Sequence, residues 1–214
     1  MPWKDIAYKS VLLTLLAVCT TTVIALIYHF TQHDIAVETR RAQEKILLQI
    51  IPRAWHDNSM LDDTIAAGPH SAGLGLRDEK SIYLARQRGE VVAVIIPVIA
   101  PDGYAGDIDL LVGVARDGTI AGVRALRHSE TPGLGDQIDI DKSEWVLGFT
   151  GRSLGSPTVA GWAVQRDGGA FDQFTGATIT PRAVVGAVLR ALQFANDNWA
   201  TLFGPDDVTA EGAG

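Results

Sequence analysis

From Val11 to Phe30 the chain reads VLLTLLAVCTTTVIALIYHF, an apolar run with no Asp, Glu, Lys or Arg. Twenty helical residues rise about 30 Å, the thickness of a bilayer's hydrocarbon core, so the run predicts a transmembrane helix. Its threonines can return their hydroxyls to helix carbonyls and so do not oppose insertion. From Asp34 to Ile51 the apolar residues are spaced (Ile35, Ala42, Ile46, Ile50) among charged ones, and Pro52 follows. That spacing predicts a helix leading from the membrane into the rest of the chain. Trp55 to Gly75 holds Asp, Gly, Pro and Ser without a period and reads as loop. Strand patterns come next, over Ser81–Ala85, Glu90–Ile99, Ile108–Ala115 and Thr119–Leu126. The last two are joined by Arg116-Asp117-Gly118, and Asp-Gly is a strong hairpin signal. Ala160–Gln165 predicts one further strand, closed by Asp167-Gly168-Gly169. A final helix starts near Pro181 and turns Val184, Val185, Val188, Leu189 and Leu192 inward, before a frayed tail from Gly204. Hairpins ahead of a terminal helix make the exported part α+β, with antiparallel strands, rather than a doubly wound parallel sheet.

Charge and cysteine content narrow the function. The chain has 214 residues, with 18 basic and 25 acidic side chains and a formal charge of −7. That balance argues against a nucleic-acid surface, which needs clustered cations to displace counterions. The single cysteine, Cys19, lies inside the apolar run and offers no disulfide framework and no Cys-type zinc or iron–sulfur site. Lys4 and Lys9 precede the run and favour a cytoplasmic N-terminus over 1–10, whereas Arg40 and Arg41 pull the other way. Tyr28 and His29 suit the far interface. A cleaved signal peptide is the competing reading, but the run exceeds a typical signal core and no small-x-small site closes it. Leu16-Ala17-Val18-Cys19 matches a lipoprotein site poorly, because Val18 is large and apolar residues continue past it.

The chemistry concentrates before the last helix, in Phe171 to Gly186, FDQFTGATITPRAVVG. Thr180 is a suitable N-cap with Pro181 at the first helical position. Thr175-Gly176-Ala177-Thr178 then lies just before a helix N-terminus, where small residues admit a bulky ligand and free amides favour a phosphate. An ordinary capped helix after a turn is the alternative.

Asp172-Gln-Phe-Thr175-Gly176-Ala177-Thr178 resembles the flavinylation motif of the FMN-binding domain family. The resemblance implies that a flavin transferase joins FMN, taken from FAD, to Thr178 as a phosphoester, with Asp172 the upstream acidic position and Thr175 conforming. His128-Ser-Glu130-Thr131-Pro132-Gly133-Leu134-Gly135-Asp136 resembles the ETPGLG loop that borders the flavin in that family. It implies ring contacts from Glu130, Thr131 and Leu134; Thr175, Gly176, Ala177, Thr180 and Tyr104 complete the expected cofactor-binding set. Gly103-Tyr104-Ala-Gly106, Lys142-Ser-Glu-Trp145 and Phe149 agree with the same pattern.

Nearly the whole chain, anchor included, resembles most the G subunits of Rnf (Rsx) electron-transport complexes, with the C subunits of sodium-translocating NADH:quinone reductases as near relatives. The implied organisation is a cytoplasmic N-terminus (1–10), a transmembrane helix (11–30), a helical linker and loop (31–75), an FMN-binding domain (76–203) and a flexible tail (204–214). The implied function is that of a single-pass inner-membrane electron carrier with a periplasmic domain, in an ion-translocating ferredoxin:NAD oxidoreductase. Its implied partners are other membrane, iron–sulfur and flavin subunits, and a flavin transferase during maturation. No stand-alone enzyme, catalytic side chain or metal is implied. The alternatives are a C-type subunit of the quinone reductase, a flavin-free tethered scaffold and a flavin-bearing sensor.

Other motifs fail on inspection. Gly151-Arg-Ser153-Leu-Gly155 fits the nucleophile elbow, yet no histidine follows His128. Gly133-Leu-Gly135 begins a dinucleotide fingerprint, but Ile138 stands where the third glycine belongs. His29 and His33 have helical zinc spacing but sit at the membrane edge, and His56, His70 and His128 form no pair with them. Asp136, Asp139 and Asp141 lack the glycine and distal glutamate of a calcium loop. The tryptophans read as core or interface anchors.

Overall fold

The computed structural model describes residues 3–204. They divide into two compact units, one ending at Gln43 and the other beginning at Glu44. The first is the body of helix α1 (Trp3–Ile50). Within it, Ile6–Gln32 is a 27-residue stretch long and apolar enough to cross a membrane, and none of it is buried inside the chain. The hydroxyls of Thr14, Thr20, Thr22 and Thr31 donate to carbonyls four residues back, at 2.9, 3.0, 2.7 and 2.8 Å. Each threonine thus satisfies its polar group within the helix. No proline or glycine separates Phe30 from Asp34, so the two helices expected from the pattern form one.

The second unit is built on a five-stranded antiparallel meander, in the order β1 (Thr64–Ala66), β2 (Ser81–Gln87), β3 (Glu90–Gly103), β4 (Gly106–Ala115), β5 (Ile120–Arg127). At the β4–β5 turn, Asp117 Oδ1 accepts from the Thr119 amide (2.9 Å) and hydroxyl (2.6 Å), and Gly118 takes φ +81. Those two bonds hold the Asp117 carboxyl below its ordinary pKa. Pro97 is tolerated inside β3 because the β2 pairing ends at Tyr83↔Ile95, leaving no ladder bond for its nitrogen to miss.

Alternation gives the sheet two apolar faces. Val94, Ile96, Val98, Ile108, Leu110 and Val112 pack in one core with Val184, Val188, Ala191 and Leu192 of α2 (Ile179–Asp197). The short α3 (Trp199–Phe203) adds Leu202 and Phe203 to that core. A second core holds Leu47 and Ile50, from the last turns of α1, with Ile51, Ala93, Ile95 and Leu111. There the cross-strand partners Gly113 and Gly122 make room for the helix. A Cβ on Gly113 would stand 2.3 Å from Ile50 Cγ2, and one on Gly122 would stand 3.4 Å from Ile50 Cα. Arg124 closes the helix end, donating Nη2 to the Gln49 carbonyl (3.0 Å) and Nε to Gln49 Oε1 (3.1 Å).

Two expectations need correction. The strand expected over Ala160–Gln165 is instead a pair of 3₁₀ turns, Val159–Gly161 and Gln165–Asp167, with one parallel bridge, Val164↔Phe171. The chain doubles back too closely there for a ladder: a Cβ on Gly169 would lie 1.9 Å from the Ala163 carbonyl oxygen. β1, three residues long, lies in the stretch read as loop. The expected tail falls outside the described residues except for Gly204.

Candidate functional site

Three segments distant in sequence converge at the N-terminus of α2. The first is the tip of the β3–β4 hairpin, where Gly103 pairs with Gly106. The chain is tight here, since a Cβ on Gly103 would lie 2.2 Å from the Gly106 carbonyl oxygen and 2.9 Å from Glu130 Oε1. The second is the loop after β5. Its Thr131 carbonyl accepts from the amides of Leu134 and Gly135, both at 3.1 Å, and Asp136 Oδ1 accepts from the Gly133 amide at 2.7 Å. The third is 171–178, entering α2.

Glu130 ties the three together. It is 4% exposed; its Oε1 accepts from the Ala105 amide at 3.0 Å and its Oε2 accepts from the Thr180 hydroxyl. A Cβ on Gly135 would fall 2.8 Å from both Glu130 Oε2 and Thr180 Oγ1, so the second glycine of the loop is what lets this contact close. The Glu130 amide donates to His128 Nδ1 at 3.2 Å. A neutral His128 ring therefore carries its proton on Nε2, which faces Asp139 Oδ2 at 3.1 Å. His128 thus belts the loop from behind.

α2 begins earlier than the sequence suggests. Thr178 is its N-cap, Thr180 and Pro181 lie in its first turn, and the Arg182 amide donates to the Thr178 carbonyl at 3.3 Å. Proline is tolerated there because first-turn amides have no intrahelical partner to lose. Thr180 is not the cap: it is fully buried and gives its hydroxyl to Glu130. The Thr178 side chain makes no capping bond. Gly176, at φ +81, turns the chain into the helix, and its missing Cβ would touch only Leu134 Cδ2, at 3.8 Å.

These segments enclose a cavity of about 280 Å³. Tyr104 lines it from the hairpin; Glu130, Thr131, Leu134 and Gly135 from the loop; Gly176, Ala177, Thr178, Ile179 and Thr180 from the helix start. Of the residues singled out in the sequence, Thr175 and Asp172 do not line it; both are exposed. Asp172 instead offers its carbonyl to Trp145 Nε1 at 2.9 Å. Gly135 and Ile179 line the cavity without having been singled out. Gly135 stood in the loop motif, but its steric role depends on Thr180, which is distant in sequence. Each Glu130 oxygen already accepts a bond from the chain, which makes Glu130 a brace more than a free hydrogen-bonding edge. One turn past Thr178, Arg182 grips Asp167 with two bonds, 2.6 and 2.9 Å. That pairing lowers the Asp167 pKa and raises that of Arg182.

The residues present suit a flat ligand carrying a phosphate. The walls mix apolar surface from Leu134, Ala177 and Ile179 with hydroxyls, and the glycines leave room that side chains would fill. A helix N-terminus, with unpaired amides and positive dipole end, faces the same space as an uncapped hydroxyl. Among the described residues, no group of three or more His, Cys, Asp or Glu side chains is placed to hold a metal.

Residues 103–193 match the model of a family described as FMN-binding domain, and residues 1–50 match one described as RnfG N-terminal region. Over 204 residues the chain is 47% identical to the G subunit of the ion-translocating oxidoreductase complex of Pseudomonas aeruginosa, covering 95% of each. It is 46% identical to the G subunit of the same name from Shewanella loihica, covering 93% of each. The Vibrio cholerae G subunit is 43% identical, over 89% of this chain and 90% of that one. The crystal structure of Shewanella oneidensis NqrC is similar at a TM-score of 0.47 and 24% identity, covering 69% of this chain and 73% of that chain.

Proposed function

The chain belongs to the family of ion-translocating oxidoreductase complex G subunits, and from that premise we propose that it is a membrane-anchored electron carrier holding FMN on Thr178. The observation that carries this reading is Thr178 itself: its side chain makes no capping bond at the helix mouth, and the residue lines the cavity shared with the 130–135 loop. In maturation, Thr178 Oγ1 bonds to the FMN-side phosphorus of FAD. The pyrophosphate P–O bond breaks, AMP leaves, and the hydroxyl proton passes to a flavin transferase or to solvent. The product is a phosphoester. When bound, FMN supplies one- and two-electron redox chemistry.

The chain's own residues anchor, orient and shield. Thr178 would hold the cofactor by its tail, with the Ile179 and Thr180 amides at the helix start available to its phosphate. Gly135 and Gly176 leave space for the cofactor, Leu134, Ala177 and Ile179 would present apolar surface to it, and Glu130 keeps the walls together. No general acid, base or nucleophile is required of the chain once the ester is made. Hydride transfer to NAD falls to another subunit, because the sequence carries no complete dinucleotide fingerprint.

Ile6–Gln32 anchors the chain in the inner membrane, and Lys4 and Lys9 support a cytoplasmic N-terminus with the second unit in the periplasm. A covalent bond suits a compartment where free FMN is scarce, since lost cofactor would not be replaced there. The partners are the other subunits of a complex passing electrons between ferredoxin and NAD. No observation favours the C-type quinone reductase subunit, and the similarity to G subunits over about nine-tenths of the chain weighs against it.

Intact mass of the chain, made together with a flavin transferase, tests the reading. The expected mass is that of the polypeptide plus FMN less one water, with flavin fluorescence surviving denaturation. Thr178→Val should lose both completely. Fluorescence retained by the denatured variant would place the ester elsewhere, and an unmodified native chain would leave a tethered scaffold.

A further inference from the structure

The segment entering α2 is pinned at Phe171 by backbone bonds to Ala163 and Gln165, at Gln173 by the Arg166 amide, and at the Asp172 carbonyl by one indole. Trp145 lies in the 3₁₀ turn Glu144–Phe149, where its amide donates to Ser143 Oγ at 3.1 Å. Its Nε1–H reaches across 27 residues to the Asp172 carbonyl at 2.9 Å. The ring meets Phe174 edge-on at 5.0 Å and Phe149 at 5.2 Å, and Phe149 stacks on Phe171 at 4.7 Å. Phe171 and Phe174 are both buried, while Asp172 between them is exposed. Phe171, Phe174 and the Asp172 carbonyl are therefore all tied to the Trp145–Phe149 pair, with Trp162 also against Phe171. From there the Ala177 amide closes a turn onto the Phe174 carbonyl at 3.1 Å, and Thr178 follows.

We propose that Trp145 is a positioning residue for the cofactor acceptor: its indole N–H fixes the path of residues 172–178 and thereby where the Thr178 hydroxyl stands. The inference rests on the Thr178 reading. Trp145 does not line the cavity and acts through the Asp172 carbonyl and the Phe174 ring. Phenylalanine at this position removes the donor together with one ring of the indole, whereas 3-benzothienylalanine keeps the bicyclic ring against Phe174 and Phe149 and removes only the N–H. A hydroxyl displaced by a fraction of an ångström attacks less often even where the transferase binds the chain equally well.

The experiment measures initial rates of covalent flavin incorporation into the full chain in detergent, using purified flavin transferase and FAD, with in-gel fluorescence as the readout. Wild type, Trp145→Phe, Trp145→Ala and Thr178→Val are compared as substrates. We expect Trp145→Phe to lower kcat about tenfold, the worth of one hydrogen bond, with KM for the chain within about twofold. Trp145→Ala should fall further. Hydrogen exchange should quicken in 171–178 of Trp145→Phe and stay unchanged over Val184–Ala195. Should Trp145→Phe fold poorly by its melting curve, 3-benzothienylalanine at 145 preserves the bicyclic ring and still removes the N–H. Wild-type kcat in the folded donor-less chain overturns the positioning role while leaving Thr178 as acceptor. A wild-type chain that takes no flavin, or a Thr178→Val chain that does, overturns both.

Discussion

Two helix ends meet the sheet in opposite ways. The C-terminus of α1 is closed. Ile50 fills the notch left by Gly113 and Gly122, and Arg124 caps the Gln49 carbonyl while touching its side chain. The N-terminus of α2 is open. Thr178 makes no capping bond, and a cavity lies in front of it. A helix end serving only structure spends its polar groups on the chain, because unsatisfied carbonyls and amides cost stability. Groups left unspent beside a cavity are available to a ligand. The contrast sets the start of α2 apart from the end of α1 by hydrogen bonding and packing alone.

Substitutions sharpen this contrast. Gly113→Val drives a side chain into Ile50 and should destabilise the second unit by about 1–3 kcal/mol, the usual cost of overpacking, read as a lowered melting midpoint in detergent. Ile50→Ala in the same chain should recover part of that loss; strict additivity of the two would deny that they share the notch. Arg124→Ala comes next, at about 1–2 kcal/mol, since it strips a charged donor from a helix-terminal carbonyl. At the open end, Thr178→Val should shift stability by less than about 0.5 kcal/mol, there being no cap to lose. A drop as large as that of Arg124→Ala would mean that the hydroxyl is structural. Asp167→Asn should do least, because its partner Arg182 holds it at the surface. Its carboxyl titrates below the ordinary value of about 3.9 in the folded chain. The pair's contribution is therefore complete above that value and is lost as pH falls through the lower, folded one. Melting curves at pH 7 and pH 3 should accordingly differ slightly less in the variant than in the wild type.

Much of this was legible in the sequence. Asp117-Gly118 announces the β4–β5 hairpin through its own hydrogen bonds, and the apolar alternation marks β2 to β5 within a few residues. β1 is too short for a period to register, and the Trp162/Val164 alternation resembles a strand because both side chains face a core without any partner strand. Thr180 and Pro181 look like a cap and first position, yet the helix starts two residues sooner because Thr180 is drawn inward by Glu130. Gly113 and Gly122 carry no sign of their purpose until Ile50 is set against them. At the site, Tyr104, the 130–134 loop and 176–180 share one cavity, whereas Thr175 and Asp172 lie on its outside. Gly135 and Trp145 matter through contacts with residues far along the chain, which no local pattern records.

The carboxylate of Glu130 joins the amide of residue 105 to the hydroxyl of residue 180. The cavity therefore belongs to no short peptide. Transplanting 171–186 onto a foreign helix would carry Thr178 and leave Tyr104, Thr131 and Leu134 behind. On the proposed reading, a flavin joined to such a graft would stand in open water, without the walls that the hairpin tip and the loop after β5 supply.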